Sequence, residues 1–529
     1  MNTRALPPTT WTTGTTDAIK TGTWRAALPA YLRRPAPCQA ACPAGGEVAR
    51  WMAQARAGDW YGAWLTLVEN NPFPAVAGRV CHQPCESACN RAQYDGALAI
   101  CSLERHIGDR ALAEGWRYPE APVGTARVAI VGGGPSGLSA AYQLRRRGYA
   151  VTLFEAGNAL GGLLRDGIPY YRLPREVLDG EIDRILEQGI DVRLGAVFTT
   201  AARFARLAET FDAVYLALGA RAPRRLAVLP PDGVRILDGA DYLAQVNAGH
   251  TPALGRYVAV IGGGSAAMDV ARSARRAGHD VRVLSLECEA DMPAQREEVI
   301  EAKTEGVLLV GGVMVRAATQ DDEGLRLDCV RVRFHDGKTD VIPGSGFTLE
   351  AHAVILAIGQ DPRLAPLEGV LEIEAGLIAV DERGATSRAG VFAGGDAASL
   401  QRFVTHAIGM GKRAAVEIHR RLEGEPPALP GAQPTVPASA INTFYHPRAA
   451  RIGGGRQAAE HPEQAAAEAA RCFSCGQCTY CDNCFVYCPD MAVRRVAAGY
   501  EIAADYCKGC GLCVRECPTG SIVLREELR

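Results

Sequence analysis

The sequence predicts an α/β chain in which two Rossmann-like dinucleotide-binding domains lie between two cysteine-rich ends, and three observations predict it. From Arg127 to about Arg421, apolar strand-like runs alternate with amphipathic helical stretches, as in a parallel sheet with crossover helices. Within that region one glycine fingerprint occurs twice, 130 residues apart. Of the eighteen cysteines, six lie between Cys38 and Cys101, ten between Cys472 and Cys517, and only Cys288 and Cys329 fall in the middle.

Each fingerprint has the context that gives it meaning. RVAIVGGGPSGLSAAYQL reads as a strand, a turn at Gly132, Gly134, Pro135, Ser136 and Gly137, then a helix. YVAVIGGGSAAMDVARSA repeats this with Gly262, Gly264 and Ser265, and has Ala267 in the third position. The first glycine allows the tight turn and the second lets the backbone approach a pyrophosphate. The third permits helix–strand packing, while the helix N-terminus offers unpaired N–H groups to the phosphates. An acidic residue follows the next strand in both copies, Glu155 eighteen residues past Gly137 and Glu287 twenty past Ala267, each placed for a ribose diol. Two unrelated structural glycine turns would not carry these flanking features twice.

Later segments distinguish the two sites. VFAGGDAA places Gly395 and Asp396 after an apolar strand, where a returning segment can bring the carboxylate to a flavin ribityl chain. AVYLALGA at 213–220 and AVILAIGQDP at 353–362 read as crossovers between domains. The first fingerprint is therefore read as an FAD site and the second as a pyridine-nucleotide site inserted into the FAD domain. A disulfide reductase would need a vicinal cysteine pair near the flavin. Cys288 and Cys329 stand alone and are read as small buried hydrophobes.

The totals exclude other classes. A net charge of −2 and 48% hydrophobic residues give no basic surface for nucleic acid. The N-terminal stretch MNTRALPPTTWTTGTTDAIK lacks the apolar core of a signal peptide, and no run reaches membrane-spanning length. The expectation is a soluble, cytoplasmic protein with no membrane and no nucleic-acid partner. A disulfide framework suits small secreted domains, so metal or iron–sulfur ligation is the better reading of the cysteines.

In the tail, CKGCGLCVRECP gives Cys507, Cys510, Cys513 and Cys517 before Pro518, the two-cluster bacterial ferredoxin spacing. Cys478, Cys481, Cys484 and Cys488 before Pro489 repeat it. In that motif the fourth cysteine ligates the other cluster, so one [4Fe–4S] centre takes Cys478, Cys481, Cys484 and Cys517. The other takes Cys507, Cys510, Cys513 and Cys488. A pair of zinc knuckles would rarely repeat this spacing twice. Cys472 and Cys475 lie outside it and are read as spare, packing or capping the approach to the domain, against an unrecognised metal role. At the N-terminal end, Cys38 and Cys42 in PCQAACP and Cys81, Cys85 and Cys89 in CHQPCESAC suit one [4Fe–4S] centre. Cys101 is read as structural.

These motifs, in this order, resemble a known family, the small subunit of glutamate synthase and the N-terminal half of dihydropyrimidine dehydrogenase. PCQAACP, NPFPAVAGRVC, GGLLRDGIPYYRLP, both fingerprints, DMPA and AGGD carry the resemblance over roughly residues 36–425. It implies flavin contacts at Gly162, Leu163 and Arg172. It also implies a flavin-proximal cluster on Cys42, Cys81 and Cys85 with Glu104 as fourth ligand. Cys38 and Cys89 match ligands of a second cluster whose remaining cysteine pair, upstream in the family, is absent from AYLRRPAP. One cluster is then lost, and either Cys38 or Cys89 can replace Glu104 on the other, because thiolate competes well for iron. NADPH-using relatives carry an aromatic–Arg–Arg run where this chain has Ser285, Leu286 and Glu287. A carboxylate there repels a 2′-phosphate, so NAD(H) is expected over NADP(H).

The expected architecture is a helical N-terminal [4Fe–4S] domain (1–124), a split FAD-binding domain (125–252 and 376–425) and an NAD(P)-binding domain (253–375). A linker (426–470) and a two-cluster ferredoxin-like α+β domain (471–529) follow. The expected cofactors are FAD, NAD(H) and three [4Fe–4S] clusters. Hydride electrons pass from nicotinamide to FAD, then singly through the clusters, to or from a ferredoxin or a redox partner protein in a hetero-oligomeric complex. No side chain is assigned acid–base catalysis. The tail resembles that of iron–sulfur flavoprotein NADH:acceptor subunits, which accompany 2-oxoacid:acceptor oxidoreductases or sulfite reductases. The alternatives are a donor like the glutamate synthase small subunit, and a docking subunit with no NAD turnover of its own.

Overall fold

The computed structural model describes residues 20–230, 235–321, 324–426, 434–453, 461–497 and 499–527. The stretch read for a signal sequence, up to residue 19, and residues 427–433 of the Pro-rich linker lie outside the described residues.

Two five-stranded parallel sheets form the centre. The first runs in the order Val391–Ala393, Ala213–Leu216, Arg127–Val131, Ala150–Phe154, Asp191–Arg193. Its central strands are buried along nearly their whole length, which is why RVAIV and AVYL read as continuous apolar runs. The late segment Val391–Ala393 returns to the edge of this sheet, so the first nucleotide unit is split in sequence. The second sheet runs Leu308–Val310, Asp280–Leu284, Tyr257–Ile261, Ala353–Leu356, Ile236–Asp238. An antiparallel sheet centred on Leu325–His335 is inserted in it, and its alternating burial shows one face on the core. The two crossovers meet where Ala222–Pro223 pairs with Gln360–Asp361, reinforced by Arg224 and Asp361 at 2.7 Å.

The N-terminal region is helical, and its local breaks are legible. VARWMAQARAGDWYGAWLTLVEN becomes helices Val48–Arg56 and Trp60–Val68, divided at Gly58, whose φ of +79° suits glycine alone. Asp59 then caps the second helix by accepting from the Gly62 N–H. Trp51, Trp64, Phe73 and Leu103 share one apolar core with Tyr142 and Leu144 of helix Pro135–Arg145. The helical region and the first nucleotide unit are therefore packed as one body.

The tail holds a hairpin, Val493–Val496 with Gly499–Ile502, and a last strand, Ile522–Glu526. That strand pairs antiparallel with Ala27–Tyr31 from the other end of the chain. Arg25 clasps the Glu527 carboxylate through two nitrogens, and Lys20 reaches Asp505 at 2.8 Å. Among the described residues no helix is long and apolar enough to cross a membrane.

Candidate redox relay

The two glycine turns are built alike. Gly132 has a φ of +111°, and a Cβ there would lie 2.1 Å from the Ala217 carbonyl oxygen. Gly262 has a φ of +136° and faces the Ala357 carbonyl oxygen at 2.3 Å in the same sense. Both crossover segments thus close on a fingerprint. Gly134 and Gly264, by contrast, face open space, and each precedes a helix with no side-chain cap, Pro135–Arg145 and Ser265–Arg276. Uncapped N–H groups above an open cradle fit a pyrophosphate. The third positions explain their residues. A Cβ on Gly137 would strike the Gly132 carbonyl oxygen at 1.9 Å, whereas buried Ala267 leaves 3.6 Å to a Cβ built on Gly262.

The acidic partners stand at both turns. Glu155 accepts from the Gly133 and Gly157 N–H groups, each at 2.7 Å, which orients its carboxylate and leaves lone pairs for a diol. The Glu287 carboxylate lies against Gly263, where a Cβ would come within 2.8 Å of it. Ser285 supports that turn by donating to the Glu287 carbonyl at 2.6 Å. Gly395, with φ of +68°, rests on Ser136, so Asp396 belongs to the first site. Burial raises the Asp396 carboxyl above its ordinary range, against the pull of the Arg402 charge. A carboxylate in that state suits a ligand hydroxyl. Gly162 has a φ of +53° and packs on Gly134, ahead of the short helix that starts at Leu163.

Arg172, which the resemblance implies as a flavin contact, has its side-chain partners in the second nucleotide unit. Its guanidinium is buried between Asp269 of helix Ser265–Arg276 and Glu298, the latter at 2.7 Å. Both carboxylates belong to the second nucleotide unit and are themselves buried, so their need for a cation directs Arg172 across the contact between units. Cys329 is buried as expected. Cys288 corrects the sequence reading: it is exposed, at a 3₁₀ turn, with its thiol on Asp291 at 2.8 Å.

The structure sorts the N-terminal cysteines into two groups. Cys42, Cys81 and Cys85 lie within electrostatic reach of one another and of Glu104. Asn71 donates to Glu104 at 2.8 Å, and burial, then the Cys81 sulfur, pushes its carboxyl up to about 8. Cys81 closes helix Pro74–Val80 and accepts from the Gln83 N–H at 3.3 Å. The buried Cys101 thiol donates to the Ala77 carbonyl at 3.6 Å and, standing beside Cys81, lowers the Cys81 pKa, a supporting role that sequence reasoning gave only as structural. Cys38 is apart from this group; its thiol neighbours are Cys472, Cys89 and Cys475. The pair set aside in the sequence as spare therefore stands beside two N-terminal cysteines.

One helix joins the flavin side to the first group. In Val404–Leu422, Gly411 meets the Ser136 carbonyl so closely that a Cβ would lie 2.2 Å away, and Ser139 donates to the Ile408 carbonyl at 2.8 Å. On its other face Gly409 presses against the carbonyl of Pro43, next to Cys42, at 2.0 Å by the same measure. Thr405 lies 3.7 Å from the Cys81 sulfur, and Lys412 donates to the Ala44 carbonyl at 2.8 Å. Sequence alone gave no sign of these glycines, because contact between helices is not a local property.

In the tail, Cys478, Cys481, Cys484 and Cys517 line one cavity. Cys488, Cys507, Cys510 and Cys513 line another. The chain strand from the far end walls both, with Tyr31 at the first and Pro29 at the second. Tyr31 also reaches the Cys484 sulfur at 3.2 Å. Among the described residues no set of three or more His, Cys, Asp or Glu is arranged to hold a metal ion as the structure stands. Each cavity is ringed by four thiols.

Residues 126–411, more than half the chain, match the family model described as pyridine nucleotide-disulphide oxidoreductase. The chain belongs to that family. Residues 32–116 match dihydropyrimidine dehydrogenase domain II, 4Fe–4S cluster, and residues 500–523 match the 4Fe–4S binding domain. This oxidoreductase is 34% identical over 437 residues to "Glutamate synthase [NADPH] small chain" of Mycobacterium tuberculosis, covering 76% of its own length and 88% of that protein. It is 37% identical over 427 residues to "NADP(+)-dependent formate dehydrogenase subunit beta" of Moorella thermoacetica, covering 73% of itself and 60% of that relative. It is 32% identical to "NAD-dependent dihydropyrimidine dehydrogenase subunit PreT homolog" of Salmonella typhi, over 73% of itself and 91% of that relative. The oxidoreductase is thus an iron–sulfur flavin enzyme of the electron-transfer type. Relatives named for NAD and for NADP both occur among these matches, so the family leaves the nucleotide open.

Proposed function

We propose that the chain is an NAD(P)H:acceptor oxidoreductase subunit, with NADH preferred, that exchanges electrons with a partner redox protein in the cytoplasm. The observation that carries this reading is helix Val404–Leu422, which touches the first glycine turn on one side and the Cys42–Cys81 group on the other. Bound at these sites, FAD would take a hydride from the nicotinamide and release electrons singly to [4Fe–4S] clusters.

The chain's own residues then have positioning roles. The uncapped N-termini of helices Pro135–Arg145 and Ser265–Arg276 receive the pyrophosphates, and Glu155 and Glu287 accept from the ribose hydroxyls. Asp396 accepts from the ribityl chain. Arg172 holds the two nucleotide units in register through Asp269 and Glu298. Glu104 serves with Cys42, Cys81 and Cys85 at the flavin-side cluster, and the two tail cavities hold one cluster each. Tyr480, Val486 and Met491, all exposed apolar side chains around the tail cavities, suit a partner that docks there. The partner class, a 2-oxoacid:acceptor oxidoreductase or a sulfite reductase, rests on the tail motif.

Anaerobic stopped-flow reduction of the purified chain with NADH and NADPH tests the reading. Bleaching of flavin absorbance by NADH, faster than by NADPH, is expected. Replacement Glu287→Ala should raise KM for NADH about tenfold, the loss of about one charged hydrogen bond. Flavin that neither nucleotide reduces would leave only a docking role.

A further inference from the structure

We propose that Cys38, Cys89, Cys472 and Cys475 form a single site, and that it holds a [4Fe–4S] cluster additional to the three described above. The site draws one half from each end of the chain.

The convergence is held from several directions. Helix Pro462–Ala470 seats Glu468, fully buried, where its carboxylate accepts from the Ala99 and Ile452 N–H groups at 2.9 and 2.8 Å. Arg471 pairs with Glu468 at 2.7 Å and with Asp95 at 3.1 Å, and donates to the Gly96 carbonyl. Arg91 donates to the carbonyl of Arg471, the residue just before Cys472. Asn90, adjacent to Cys89, donates to the Cys475 sulfur at 3.4 Å and to the Val436 carbonyl at 3.0 Å. Gly476 then lies so close to the Arg34 carbonyl, four residues before Cys38, that a Cβ would stand 2.2 Å from it. Cys38 and Cys472 pack on the same apolar core that contains Cys89.

The backbone around Cys472 and Cys475 is that of a ligand loop. In Cys478-Thr-Tyr-Cys481-Asp, the third and fifth residues have φ of +56° and +65°. In Cys507-Lys-Gly-Cys510-Gly they have +71° and +78°. In Cys472-Phe-Ser-Cys475-Gly, Ser474 and Gly476 have +51° and +74°. The Ser474 N–H points at the Cys472 sulfur at 3.4 Å, as the Gly509 N–H does at Cys507, also at 3.4 Å. A serine held in the left-handed region is strained, which packing alone has no reason to impose. Three loops of one conformation, each presenting two thiols, point to one chemistry.

The location gives the site a purpose. Cys38 and Cys89 each lie four residues from a ligand of the flavin-side group, Cys42 and Cys85, a span of about 6 Å where the chain is helical. Cys475 lies three residues from Cys478, so their Cα atoms are at most about 11 Å apart. The proposed site is thereby adjacent both to the flavin-side cluster and to the first tail cavity, and it bridges a gap in the relay.

Metal and acid-labile sulfide analysis of the anaerobically purified full chain tests the proposal. About sixteen iron atoms are expected, four cubanes of four, against about twelve without this site. Cys475→Ser and Cys38→Ser should each remove about four iron atoms and one reduced-state EPR signal while FAD content stays at one per chain. Cys288→Ser, an exposed thiol outside every group, should remove none. A native count near twelve, or one zinc per chain that Cys475→Ser abolishes, overturns the proposal. If the serine variants do not fold, the native iron, sulfide and zinc counts still decide it. These counts are independent of nucleotide-driven flavin reduction, so failure here is distinct from failure of the proposed function.

Discussion

Replacing Glu468 with alanine should release the helix Pro462–Ala470 and the turn behind it from the N-terminal helices. The side chain is fully buried and its two oxygens serve three donors: the Ala99 N–H, the Ile452 N–H and the Arg471 guanidinium. Hydrogen bonds to a charged group contribute about 1.5–3 kcal/mol each, but the loss is less than their sum. Arg471 retains Asp95 and the carbonyls of Ala449 and Gly96, so its charge is not left alone. Removing one member of a buried ion pair typically costs about 3–5 kcal/mol, and we expect the lower half of that range. At 3 kcal/mol, local opening becomes roughly a hundredfold more frequent. Hydrogen exchange followed by mass spectrometry should show that acceleration across residues 462–476. Strand Arg127–Val131, in the first sheet, should keep its protection. Glu468→Gln retains the shape and one acceptor and should open less. Acceleration below tenfold in Glu468→Ala would refute the reasoning and move the seating of the turn to its apolar contacts.

Gly411→Ala forces helix Val404–Leu422 off the Ser136 carbonyl, and overpacking of this kind costs about 1–3 kcal/mol, readable as a lower urea midpoint and weaker FAD retention. Arg172→Ala leaves Asp269 and Glu298 buried without their cation and should cost about 3–5 kcal/mol while FAD content is retained. Glu181 is fully buried and accepts from the Ala75 and Val76 N–H groups at the start of the helix that ends at Cys81. Burial pushes its carboxyl up to about 7, against the pull of those two donors. A raised folded pKa contributes stability that is full below the unfolded value and is lost as pH rises through 7. The stability advantage of the native chain over Glu181→Gln, measured in urea at a series of pH values, should therefore fall by a few kcal/mol, about 3, between pH 4.5 and 7.5.

What could be read in the sequence was what repeats locally. Strand, glycine turn, helix and acidic residue recur in order at Gly132–Glu155 and Gly262–Glu287, and the sheets around them are parallel as the apolar runs imply. The partition of the tail cysteines between two cavities follows from spacing, because short loops fix which thiols can face one another. What escaped depends on contacts between distant segments. Nothing near Cys472 says that Asn90 will meet Cys475, and nothing near Arg172 says that Asp269 will be its partner. The glycines of helix Val404–Leu422 read as mild helix-weakening choices until Pro43 and Ser136 are found on either side. In each case the reason for the residue lies far along the chain, from 97 positions for Arg172 and Asp269 to 385 for Asn90 and Cys475.

The pairing of Ala27–Tyr31 with Ile522–Glu526 bears on how such a protein is made. Its flanking clasp, Arg25 with Glu527, spans 502 positions, so almost the whole chain must be synthesised before it can form. Closing so long a loop is slow, and while it is open the two tail cavities lack the walls that Pro29 and Tyr31 provide. Oxygen-sensitive cargo loaded earlier would be more exposed than in the finished protein. The same geometry warns against excising residues 471–529 as a stand-alone ferredoxin: the fragment would lose a strand that belongs to its own sheet.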